Sequence, residues 1–146
     1  MVSCGLLAIL SASTVGALIH MNNNAVLSRL QTGASTLAQS RIDLILSDGP
    51  FNPQKINKDT GLPQIPPVLT PGTTQIGTSI APTLAVYTDP SNGDKLWGWM
   101  TSTVTDTGLS YNSQNLNLYR ATVTVFYRYR GRLYSVTMNT TRCSDI

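Results

Sequence analysis

The chain contains no glutamate, so all seven of its acidic residues are Asp, and it has a single histidine, His20. No Lys, Arg or Asp precedes Arg29, and no proline precedes Pro50. Its two cysteines, Cys4 and Cys143, lie near opposite ends. Each shortage removes a class of function. One His, no Glu and two distant Cys leave no zinc-type ligand set. Serines are plentiful, but no G-x-S-x-G elbow occurs and no general base has a partner, so nucleophilic hydrolysis lacks its parts. The sequence therefore reads as that of a protein that is not an enzyme and uses no cofactor. Pairing Cys4 with Cys143 would require the two ends to meet, so no disulfide framework is expected. His20, at a helical position in an apolar segment, reads as a packed or interface residue rather than a ligand.

What the first residues do contain is MVSCGLLAILSASTVGALIH. About 20 apolar residues match the thickness of a bilayer, and small residues such as Ser, Ala and Gly let packed helices approach closely. A cleaved secretory signal would carry a positive charge ahead of its apolar run, and none is present. From Ala25 the pattern becomes one-sided. Leu27, Leu30, Ala34, Leu37, Ile42 and Ile45 recur near the helical period, with Arg29, Gln31, Ser35, Gln39 and Asp43 mostly between them. Ser47-Asp48-Gly49-Pro50 is a stop signal, with Gly just past the helix end and Pro beyond it. One helix is expected from near residue 2 to about Leu46, roughly 65–70 Å long at 1.5 Å per residue. Gly16 and Asn22-Asn23-Asn24 are its poor helix formers, and they mark where it can unwind in a changed environment.

Residues 49–82 hold seven of the eight prolines and show neither period, so a long loop with at most one short strand is expected. After Pro82 the period becomes two. Leu84–Tyr87, Lys95–Thr105, Leu116–Tyr129 and Leu133–Thr141 read as strands, joined by turns at 89–94 and 130–132. The expected fold is α+β, a long N-terminal helix packed on a four-stranded antiparallel meander. The division is 1–48 (1–24 hydrophobic, 25–48 amphipathic), 49–82 and 83–146. Leu27, Leu30, Leu37 and Ile45 are the expected helix–sheet packing residues, because their stripe is the one large apolar face available to cover the sheet.

A hydrophobic helix that continues as an amphipathic one, then a loop and an antiparallel meander, resembles a type IV pilin or type II secretion pseudopilin. The carrying residues are MVSCGLLAILSASTVGAL, NAVLSRLQTGASTLAQSRIDLILSDGPFNP and, like the last hairpin of minor pilins, ATVTVFYRYRGRLYSVTMNTTRCSD. The family's motif has a leader ending in Gly, then an aromatic first residue and a Glu fifth. Here those two positions are Met1 and Gly5. The resemblance implies a structural filament subunit, in the inner membrane before assembly and extracellular or periplasmic afterwards. Its partners would be copies of itself or related pilin subunits. A subunit without the carboxylate is expected where no other lies ahead of it, at the filament tip. The implied assembly helix uses Met1, Leu6, Leu7, Ile9, Leu10, Val15, Gly16, Leu18 and Ile19. The alternative is a membrane-anchored monomeric binding module acting through the Pro-rich loop or the basic C-terminal hairpin.

Two further clusters carry chemistry. Arg120, Arg128, Arg130 and Arg132, interleaved with Phe126, Tyr127, Tyr129 and Tyr134, have the residue types of a nucleic-acid contact, with DNA as the partner. The plainer reading is a charged outer face over a buried one. Asp89, Asn92 and Asp94 bring oxygen donors together as a calcium candidate, although turn preferences explain the same residues. Asn139-Thr140-Thr141 matches a glycosylation acceptor, to which no function is attached.

Overall fold

The structure is a computed structural model that describes residues 2–111, 114–115 and 117–145, the side chains of 2–10, 110, 111, 114 and 115 excepted. Two compact units divide the chain, Met1–Thr32 and Gly33–Ile146. Helix α1 spans Val2–Ser47. It ends where the sequence provides for it: Gly49 adopts a left-handed φ of 43° and Asp48 N–H bonds to Leu44 O at 2.9 Å.

Among the described residues, α1 is followed by β1 (Asn52–Ile56) and eight further strands. They are β2 (Pro63–Gln64), β3 (Gly72–Ile76), β4 (Leu84–Thr88), β5 (Lys95–Asp106), β6 (Ser110–Tyr111), β7 (Gln114–Asn115), β8 (Tyr119–Tyr129) and β9 (Arg132–Arg142). The main sheet is antiparallel and has five strands, not the four expected. The added strand is β3. It lies on the same edge of β5 as β4, pairing with Met100–Val104 while β4 pairs with Lys95–Gly98. A twelve-residue β5 is long enough to hold two short strands end to end. The sequence Gly-Thr-Thr-Gln-Ile has no apolar alternation because most of β3 is exposed. Its pairing rests on backbone bonds and a Thr73–Thr103 hydroxyl contact of 3.1 Å, so period-two reading misses it. The Pro-rich stretch is likewise more structured than a loop with one strand. It contains β1 and β2, paired with each other, a 3-10 turn at Pro67–Leu69, and β3.

Within the second unit the core is one face of β5 and β8, with Val86 of β4, Phe51 and Leu69, together with the helix residues Ala34, Ala38, Ile42 and Ile45. Along β8 the alternation is strict. Tyr119, Ala121, Val123, Val125 and Tyr127 are buried, and the residues between them are not. The expected packing residue Leu37 is only partly buried. The positions that close on the core are Ala34, Ala38 and Ile42, four residues apart, and Leu37 falls one step to their flank. At Gly33 the helix backbone comes very near β4. A Cβ on Gly33 would collide with the carbonyl oxygen of Val86.

Candidate functional site

The first unit offers a surface rather than a cleft. Leu18 is 65% exposed and Met21 69%, and Val15 and Ile19 are also exposed. No charge interrupts this surface before Arg29. The polar residues among these side chains are partly turned back onto the helix: Thr14 Oγ1 donates to Ser11 O at 2.9 Å. Such back-bonding satisfies a hydroxyl without water and leaves a surface more apolar than its composition suggests. A Cβ on Gly16 would meet nothing within 4 Å apart from its own helix backbone and chain neighbours. His20 is exposed. The expected assembly residues Met1, Leu6, Leu7, Ile9 and Leu10 lie outside the described side chains. Among the described residues, no helix is long and apolar enough to cross a membrane.

Of the four expected packing residues, Leu30 is 1% exposed and Ile45 is fully buried, while Leu27 and Leu37 are partly buried. Leu37 lines a shallow groove with Leu44, Leu84 and Met100.

The C-terminal end of α1 is closed by Arg142, a residue far away in sequence. Arg142 is buried, and its guanidinium donates to Ile45 O at 2.8 Å, Asp48 O at 2.8 Å and Gly49 O at 2.9 Å. The last carbonyls of a helix have no intrahelical donor, and a cation there also meets the negative end of the helix dipole. Asp145 completes the lock. Its Oδ2 lies 3.3 Å from Arg142 Nη2 and accepts from Phe51 N–H at 2.8 Å, and its own N–H donates to Phe51 O at 2.6 Å. The Phe51 ring sits under the guanidinium at 5.5 Å and against Tyr119 at 4.8 Å. Only the Arg-x-x-Asp spacing hinted at this pairing, and nothing local pointed to a helix end 97 residues earlier.

The other arginines do not form one patch. Arg120 pairs in register with Thr105 and Thr141, in the threonine-rich part of the outer face. Arg128 lies eight residues along β8, a separation of about 27 Å at strand rise. Arg130 and Arg132 sit at the β8–β9 hairpin, where Arg130 and Gly131 have φ of 50° and 76°. The register places Lys95 and Trp97, which sequence reading left out, at that same end of the sheet.

The calcium candidate is a self-satisfied turn. Asp89 Oδ1 accepts from Ser91 N–H at 2.9 Å and Ser91 Oγ at 2.6 Å, and Asp94 Oδ2 accepts from Asn92 Nδ2 at 2.7 Å. Among the described residues no group of three His, Cys, Asp or Glu could hold a metal ion. Two buried tyrosines have raised pKa values. Desolvation is the larger cause for both, with the Asp106 charge added at Tyr119 and Tyr134 at Tyr127. The chain matches no known protein family, no curated protein and no solved structure.

Proposed function

We propose that the chain is a structural subunit of a type IV pilus-like or type II secretion pseudopilus filament, assembling through the first part of α1 with copies of itself or related subunits. The observation that carries this reading is the uncharged, apolar and exposed surface at Val15, Leu18, Ile19 and Met21. Burying what these four side chains still expose would contribute roughly 4 kcal/mol, taking about half of the usual 1.5–3 kcal/mol each. Most helical stability in proteins comes from packing of an apolar face, so this stretch gains most when other helices cover it. Its small residues suit close helix–helix approach. Its modest hydropathy supports packing among neighbouring helices over permanent residence as a lipid-facing span. Before assembly the helix would be held at the inner membrane, and afterwards the filament would be extracellular or periplasmic.

The test is negative-stain imaging of shear fractions from cells making the protein, with mass spectrometry of any filament band. Filaments that contain this chain, and that disappear when Gly16→Trp or Ala17→Trp is introduced, are the expected result. An intact chain that stays in the membrane fraction, forms no filament and tolerates both substitutions would overturn the proposal in favour of an anchored monomeric binding module.

A further inference from the structure

The end of the sheet at the β8–β9 hairpin has the features of a ligand surface. Trp97 is 45% exposed, and its ring makes no contact with another aromatic ring among the described residues. Lys95 Nζ lies over it at 5.7 Å. The β5–β8 register pairs Gly98 with Tyr127, so continuing it by one residue sets Trp97 beside Arg128. Arg128 in turn pairs with Leu133, which is 56% exposed. Trp97, Arg128 and Leu133 therefore form one row across three strands on the outer face, with the stacked pair Trp99 and Phe126 (5.4 Å, 14°) in the next row. Arg130 and Arg132 extend from the adjoining turn.

Charge is what selects the ligand. Lys95, Arg128, Arg130 and Arg132 have no ion pair among the described residues, where the only one joins Arg142 to Asp145. The acids nearest in sequence, Asp89 and Asp94, are engaged within their own turn. Arg130 also holds a left-handed φ, which Asn or Gly would adopt at lower cost. A strained turn position is thus occupied by a guanidinium that meets no acid among the described residues.

We propose that this surface, formed by Lys95, Trp97, Arg128, Arg130 and Arg132, binds single-stranded nucleic acid. Unpaired cations would contact phosphates, and the exposed indole would stack on a base. A duplex keeps its base faces covered, so Trp97 favours a single strand. An anionic membrane would use the charges but give the ring no stacking partner. Arg120 lies outside the site, and Arg142 is used up by the helix lock.

The experiment is fluorescence anisotropy of a labelled oligothymidylate against the full chain in mild detergent. The expected result is saturable binding that weakens with salt, log affinity falling with a slope of about −0.7 per phosphate contacted. Trp97→Ala should weaken binding about 5- to 100-fold, the range for one stacked base, and Trp97→Phe should restore most of it. Arg128→Ala should lower the salt slope by about 0.7, and Arg120→Ala should leave both affinity and slope unchanged. Equal thermal unfolding of the variants separates lost binding from lost folding. The proposal is overturned by any of four results: no saturable binding, an unchanged affinity in Trp97→Ala, equal binding of a duplex of the same length, or displacement of the oligonucleotide by phosphatidylserine vesicles.

Discussion

Residues 11–29 and residues 30–47 belong to the same helix, yet they stand in opposite relations to their surroundings. In the later stretch Leu30, Ala34, Ala38, Ile42 and Ile45 are buried. In the earlier one Val15, Leu18, Ile19 and Met21 are exposed although nothing charged accompanies them. Two glycines condense the contrast. Gly33 has no room for a methyl group, whereas a methyl group on Gly16 would meet nothing beyond its own helix turn. The difference teaches that the sequence prepares both stretches for close packing, while the chain by itself provides the packing for only one.

Substitutions can break that contrast from either side. The largest loss is expected at the closed end. Arg142→Ala strands the carbonyls of Ile45, Asp48 and Gly49, and charged hydrogen bonds of this kind imply a loss of about 4 kcal/mol, read as a lower urea midpoint. Leu30→Ala should cost about 3 kcal/mol by opening a cavity. Leu18→Ala should cost well under 1 kcal/mol in the dispersed chain, as exposed substitutions do, and should still reduce filament yield. Equal unfolding midpoints for the Leu30 and Leu18 variants would remove the distinction. Gly33→Ala should cost about 2 kcal/mol because β4 must shift. At the small end, Gly16→Ala should raise helix stability by about 0.5–1 kcal/mol, measurable as increased helicity.

Alkaline pH sharpens the comparison because all six tyrosines lie beyond residue 86. Tyr119 and Tyr127 have pKa values raised in the folded state, chiefly by burial. Their contribution is complete below the ordinary tyrosine value and is lost as pH rises through the higher folded values. Near-ultraviolet circular dichroism of the sheet should therefore collapse at high pH before the helical signal of residues 11–29 declines. Simultaneous loss of both signals would contradict this.

Much of this arrangement was legible because it is written in local periods. The helix and its Gly-Pro stop follow from spacing and from one left-handed glycine, and β4, β5, β8 and β9 follow from alternation. The fifth strand did not, because β3 is polar on nearly every position and is recruited by the unused length of β5. Leu37 looked like core because it falls in the apolar stripe near the helical period. Burial instead falls on Ala34 and Ala38, and Ala38 gives too weak an apolar signal to stand out in the sequence. The basic end of the sheet was half legible: the hairpin arginines are contiguous in sequence, but only strand register brings Lys95 and Trp97 to them. The role of Arg142 was not legible, because a helix cap supplied from 97 residues away leaves no local trace.

That distance also has a meaning in time. At roughly 5–20 residues per second of synthesis, the carbonyls of Ile45 and Asp48 wait about 5–20 s for the guanidinium that will close them. During that interval α1 has emerged with its end open and the sheet that covers it unfinished. A nascent chain interrupted before Arg142 therefore keeps the end of its helix open, and synthesis of that one residue is what allows the lock to close.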